Sequence, residues 1–294
     1  MNRYEALLNH SKVVILDGAM GTMLMAHGLK TGDAPEKMNL ENPDIVAAIH
    51  REYIEAGSKI ILTNSFGANR FRLKRHGLDE QMNEINLKAA RIARRVADEC
   101  GGEIVVAGDM GPTGEMMKPL GTLTFEDAFQ AFAEQAGALS QGGVDVIWIE
   151  TMSDLNEIKA AIEGARSVTT IPIVATMSFE SHGRTMMGNT PEQLVELGRK
   201  YQLSAVGANC GKGPQELEAA ITKMRAFDPA IPLVAKANAG LPKLIDGNLV
   251  YDGTPEVMAE HTKRVKNYNV KFIGACCGST PDHIQAMAKV IRGD

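Results

Sequence analysis

The chain has 294 residues, is 44% hydrophobic and 23% charged, and carries a formal net charge of −5, which suits a globular protein of one large domain or two small ones and argues against a nucleic-acid-binding surface. It contains no uninterrupted apolar run of about 18 residues, so no transmembrane helix is expected, and its opening MNRYEALLNHSK lacks a secretory signal pattern, so the expected compartment is the cytoplasm. Four cysteines in such a chain cannot form a disulfide scaffold and are read as free, catalytic or metal-bound.

In chain order, short Val/Ile-rich runs alternate with longer amphipathic stretches. The runs are VVIL (13–16), KIILT (59–63), EIVVAG (103–108) and VDVIWI (144–149), then IPIVATM (171–177), SAVGAN (204–209), IPLVAKA (231–237) and VKFIGA (270–275). Each is bounded by turn residues, as buried parallel strands are. Helices are expected between them at 44–56, 81–99, 125–141, 155–165, 191–201, 214–226, 255–265 and 281–291. Thr190-Pro191, Thr254-Pro255 and Thr280-Pro281 each supply an N-cap threonine followed by proline at the first helical position. Asp282 adds a favourable negative charge to the last helix's first turn.

Eight strand-then-helix units predict a single (β/α)8 barrel of the TIM type over residues 1–294, an α/β fold. An open doubly wound sheet is the competing layout. Its G-x-G-x-x-G fingerprint is missing after the first run, where the sequence reads DGAMGTML.

In such a barrel the chemistry belongs at the C-terminal ends of the strands. The first four runs end in Asp17-Gly18, Thr63-Asn64-Ser65, Asp109 and Glu150-Thr151. The last four end near Ser178 and in Asn209-Cys210-Gly211, Asn238 and Cys276-Cys277-Gly278. Three of the four cysteines therefore share one mouth with the carboxylates Asp17, Asp109 and Glu150. Three thiolates suit zinc, with one coordination position left open as in catalytic sites. Adjacent residues of a strand point to opposite faces, so Cys276 and Cys277 can reach one ion only where the strand turns, and Gly278 permits that turn. Two other readings stay open at this level: cysteines as small buried residues, and a redox-active vicinal disulfide. Cys100 is read as a bystander, and the seven histidines show no metal-ligand spacing.

These motifs resemble the zinc-dependent homocysteine S-methyltransferase family over nearly the whole chain. The matching segments are ILDGAMGTML (15–24), ILTNSFGAN (61–69), GDMGPTGE (108–115), IETMSD (149–154), GANCG (207–211), ANAG (237–240) and GACCGSTPDHI (274–284). The chain is most similar to the homocysteine-binding barrel of cobalamin-dependent methionine synthase, and similar also to the betaine-using enzymes. The resemblance implies zinc held by Cys210, Cys276 and Cys277, with homocysteine's sulfur in the fourth position and Asn238 there when substrate is absent. It implies that Asp17 and Glu150 hold the homocysteine amino group, and that the amides of Ala19, Met20 and Gly21 receive its carboxylate. The product is then methionine.

The methyl donor is read less directly. A quaternary ammonium such as betaine wants an aromatic cage. The betaine enzymes carry aromatics after strands one and two, where this chain has Asp33 and Gly67. The preferred donor is therefore a methyl-corrinoid (methylcobalamin) carried on a separate protein, because the chain ends just after its eighth helix. Betaine or another small methyl-onium donor is the runner-up. Two readings from other classes are a non-catalytic zinc- or thiol-binding partner subunit and a redox protein using the vicinal pair.

Overall fold

The computed structural model describes residues 2–101, 103–180, 183–245 and 248–293. The chain begins with a helix absent from the expectations above, α1 (Arg3–His10), closed by a reciprocal cap between Asn2 and Glu5. Strand β1 (Val14–Ile15) leads to the short helices α2 (Met20–Ala26) and α3 (Met38–Glu41), then α4 (Pro43–Ala56). Next come β2 (Ile60–Leu62), α5 (Arg70–Lys74), α6 (Met82–Glu99), β3 (Val105–Met110) and α7 (Phe125–Gln141). The chain continues through β4 (Val146–Met152), α8 (Leu155–Val168), β5 (Ile173–Met177), α9 (Pro191–Lys200), β6 (Ala205–Cys210), α10 (Pro214–Phe227) and β7 (Leu233–Ala237). A hairpin, β8 (Pro242–Ile245) and β9 (Asn248–Tyr251), precedes α11 (Pro255–Lys266), β10 (Phe272–Ala275) and α12 (Pro281–Arg292).

Eight strands form one parallel sheet in the order β1-β10-β7-β6-β5-β4-β3-β2. The two ends meet through a parallel bridge between Leu16 and Ile60 and a hydrogen bond from the Lys59 amide to the Ile15 carbonyl at 2.8 Å. The expected (β/α)8 barrel is therefore present, and the doubly wound sheet is excluded. The three Thr-Pro signals open α9, α11 and α12 as expected; Thr190 and Thr254 accept amide hydrogen bonds from Gln193 and Val257. The hairpin was not anticipated. Nor was the run of β3 and β4 through Asp109, Glu150 and Thr151, which lie inside strands rather than beyond them.

The barrel interior alternates with period two, as a pleated strand requires. Val14, Leu16, Ile60, Leu62, Val105, Ala107, Val146, Trp148, Val174, Ala205, Val234 and Phe272 form one apolar cluster inside it. Tyr4 of α1 belongs to the same cluster and stacks on Phe272 with ring centroids 5.8 Å apart. Trp148 meets Phe272 edge-on at 5.9 Å. The larger apolar cluster lies outside the barrel, where the helices pack on the sheet; α6 alone contributes Ala90, Ile92, Ala93, Val96 and Ala97.

Candidate active site

Two residues beyond the interior apolar positions of β3, β4, β5 and β7 the same face continues with polar side chains. Ala107 is followed by Asp109, Trp148 by Glu150, Val174 by Thr176, Val234 by Lys236 and Phe272 by Gly274, then Cys276. Asp109, Glu150, Thr176 and Lys236 are all buried. The alternation that builds the core thus ends in a polar layer resting on the Trp148–Phe272 floor.

Lys236 is the centre of this layer. Its Nζ donates to Glu150 Oε2 at 3.2 Å and lies 3.7 Å from Asp17 Oδ1. Burial opposes its charge, but Glu150, Asp17 and their neighbours outweigh that and hold its pKa above the ordinary lysine value. Asp17 Oδ2 accepts the Leu62 amide at 2.7 Å. Burial raises the Asp17 carboxyl to about 7, against the pull of Lys236 and the Leu62 amide. Burial likewise raises Glu150, opposed by Lys236. Asp109 is pushed well above the carboxylate range by burial and by Glu150. Among the described residues, the Oδ1 atoms of Asp17 and Asp109 are buried without a hydrogen-bond partner.

Beside this layer stand three thiols. Cys210 ends β6 in a left-handed conformation, φ 60, which is costly for a residue with a Cβ. Thr151, across β5, has φ 61 and is tied to Asn209: the Thr151 amide donates to Asn209 Oδ1 at 2.9 Å and Asn209 Nδ2 to Thr151 Oγ1 at 2.6 Å. Cys276 leaves β10 by donating its amide to the Ala237 carbonyl at 2.7 Å, and the Cys277 carbonyl accepts the Ala239 amide at 2.9 Å. The chain turns at Gly278, φ 81, whose amide donates to Thr22 Oγ1 at 3.1 Å. A Cβ at Gly278 would stand 2.1 Å from Cγ of Tyr251, so the glycine lets the tyrosine lie against the turn. This is how neighbouring cysteines come to face the same point.

The Cys276 and Cys277 sulfurs are 4.0 Å apart, and all three sulfurs lie within 4.8 Å of one another. A disulfide needs about 2.05 Å; the cysteines are free. Tetrahedral thiolates at 2.3 Å from an ion would be about 3.8 Å apart, so the three sulfurs fit a soft or borderline metal ion. Hydrogen bonds from Cys276 and Cys277 pull Cys210 down to about 3. Bonding to that thiolate raises Cys276 to about 11.

Thiols and carboxylates line one cavity of about 490 Å³, together with Ala19, Met20, Gly21, Lys236, Phe66 and Tyr251. The Ala19 amide donates to Ser279 Oγ at 3.0 Å, and Ser279 Oγ donates to the Cys276 carbonyl at 2.8 Å. Met20 and Gly21 open α2, where amides have no intrahelical acceptor. Asn238 Nδ2 donates to the Gly211 carbonyl at 2.8 Å while its Oδ1 is buried and unpartnered. Among the expected site residues, all but Asn238 line this cavity, and the Asn238 side chain reaches the lining residue Cys210. Cys100 lies apart, at the C-terminal cap of α6.

Several lining residues were not foreseen, among them Lys236 and Tyr251. Lys236 is a lone charge inside the apolar run IPLVAKA, which is itself a signal that a buried partner exists. Tyr251 belongs to the unforeseen hairpin. Its ring lies along the cysteine turn, and burial together with Cys277 raises its hydroxyl above the ordinary tyrosine value.

The family model for homocysteine S-methyltransferases matches residues 14–291. A methionine synthase from Mycobacterium tuberculosis is 32% identical over 95% of this chain, and the chain spans only 25% of that protein's length. The oxidized form of the homocysteine methyltransferase MmuM from Escherichia coli is 28% identical, with a TM-score of 0.80 over 97% of this chain and 98% of that one. The metallated form of the same enzyme gives 26% identity and a TM-score of 0.82, covering 98% and 99%. Among the described residues no helix is long and apolar enough to cross a membrane.

Proposed function

Because the chain belongs to the homocysteine S-methyltransferase family, we propose that it transfers a methyl group to the thiol of homocysteine, giving methionine, with zinc held by Cys210, Cys276 and Cys277. One observation carries this reading: three thiols within 4.8 Å of one another share a cavity with three buried carboxylates and a single lysine. A ligand bearing both a thiol and an ammonium group answers both halves.

Bound zinc supplies a thiolate, because coordination deprotonates a thiol that is otherwise mostly protonated at neutral pH. The chain's own residues do the rest. Asp17 and Glu150 offer acceptors for the substrate ammonium. The Met20 and Gly21 amides offer donors for its carboxylate, and the Ala19 amide braces the turn through Ser279. Asn238, whose side chain reaches Cys210 and whose Oδ1 has no partner among the described residues, would take the substrate-sulfur position when homocysteine is absent. Holding the amino-acid end at three points fixes the thiol for in-line attack, which reduces the entropic part of the barrier.

The preferred donor is a methyl-corrinoid brought by a separate protein or domain. Two observations support it over betaine. The curated relatives are methionine synthases of which this chain spans about a quarter. The cavity's aromatic side chains, among the described residues, are Phe66 and Tyr251, and Phe66 already carries the Arg72 guanidinium over its ring at 5.3 Å. A donor screen tests the choice. Zinc-loaded protein with homocysteine is given methylcobalamin, betaine or S-methylmethionine, and methionine is measured. Formation with methylcobalamin alone is expected; turnover with betaine alone would sink the corrinoid assignment.

A further inference from the structure

We propose that Asp109 is a principal acceptor for the substrate's ammonium group and sets the preference for amino-acid thiols over thiols lacking an amine. The inference rests on the homocysteine reading and goes beyond it, since that reading uses only Asp17 and Glu150.

Those two carboxylates already have a cation. Lys236 donates to Glu150 Oε2 and faces Asp17 Oδ1, and the second Asp17 oxygen takes the Leu62 amide. Asp17 and Glu150 thus share a single ammonium. Among the described residues Asp109 has no lysine or arginine partner, its Oδ1 accepts no hydrogen bond, and the residue is only 7% exposed. A buried carboxylate oxygen left without a donor is expensive, and it is kept where a ligand completes it.

The strand also holds Asp109 firmly. Its amide donates to Thr63 Oγ1 at 2.9 Å, and its carbonyl accepts Ser65 Oγ at 2.7 Å. These bonds fix the backbone that carries the carboxylate at the cavity wall. It lines the cavity with the three cysteines and is close enough to Glu150, Lys236, Asp17 and Cys276 to interact electrostatically with each. A ligand anchored by sulfur at the cysteines meets this oxygen with its amino end.

The test compares homocysteine with 4-mercaptobutanoate, which is the same molecule without the amine, by calorimetric titration of the zinc-loaded protein. Wild type should prefer homocysteine. Asp109→Asn should lose about tenfold or more in homocysteine affinity, the size of a charge-assisted hydrogen bond, with the affinity for 4-mercaptobutanoate unchanged. Asp109→Ser provides the same comparison should the Asn variant fold poorly, and zinc content is checked in each. An unchanged preference in both variants, or equal losses for both thiols, would overturn the assignment of Asp109. A wild type that does not prefer homocysteine would instead overturn the homocysteine reading itself.

Discussion

Lys236 of β7 reaches across the barrel to donate to Glu150 of β4 at 3.2 Å, and both side chains are about 95% buried. The pair joins the apolar floor to the cavity above it. Removing one partner of a buried ion pair leaves the other charge uncompensated. Lys236→Met is therefore expected to cost roughly 3–5 kcal/mol, read as a lower urea midpoint. Adding Glu150→Gln should recover part of the loss, since the two sites share one interaction. Additive losses would show that the pair is not coupled.

Tyr4 closes the opposite end of the barrel. It is fully buried and stacks on Phe272. Tyr4→Ala should destabilise the protein by about 3–5 kcal/mol, as large-to-small core changes do, while metal binding at the far mouth is retained. Loss of metal with stability unchanged would contradict this division between the two ends.

His50, on α4, is fully buried, and neither ring nitrogen has a hydrogen-bond partner among the described residues. Burial lowers its pKa to about 4 from the usual 6.5. The unfolded chain therefore binds a proton that the folded chain refuses between those values, so this contribution to stability is lost as pH falls from 6.5 to 4. For a shift of this size the loss is roughly 3 kcal/mol. The stability of wild type relative to His50→Leu should fall by that order across the window. A pH-independent difference would mean that the imidazole is not held neutral.

The cysteines are separable by metal analysis. Cys210→Ala, Cys276→Ala and Cys277→Ala should each bind well below one zinc per chain after exhaustive dialysis. Cys100→Ala, at the far cap of α6, should bind one. With the Cys276 and Cys277 sulfurs only 4.0 Å apart, mild oxidation should join them and release the metal, and a thiol reductant should restore binding. Retention of zinc by the oxidised protein would contradict the ligand set.

Much of this architecture was legible in the sequence, because parallel strands buried on both faces read as short Val/Ile runs, and Thr-Pro pairs mark helix starts. The cysteines, Asp17, Asp109 and Glu150 followed from the rule that chemistry sits at strand ends. What escaped has physical reasons. Helix α1 is only eight residues long and is held to the barrel by Tyr4 with Leu7 and Leu8 beside it, tertiary contacts that no local pattern encodes. The hairpin lies in a βα connection, where the alternation of strands and helices carries no information. Lys236 was hidden inside an apolar run that correctly predicted β7. The left-handed turn at Cys210 adjoins the Asn209–Thr151 bonds between strands, which no local pattern encodes.

The most direct measurement of the central claim is methionine formation from homocysteine and methylcobalamin by protein as purified, stripped by a chelator, and reloaded with zinc. Activity that disappears on stripping, returns with one zinc per chain, and stays absent in reloaded Cys276→Ala is the predicted result. Undiminished methionine formation by the metal-free protein would contradict it.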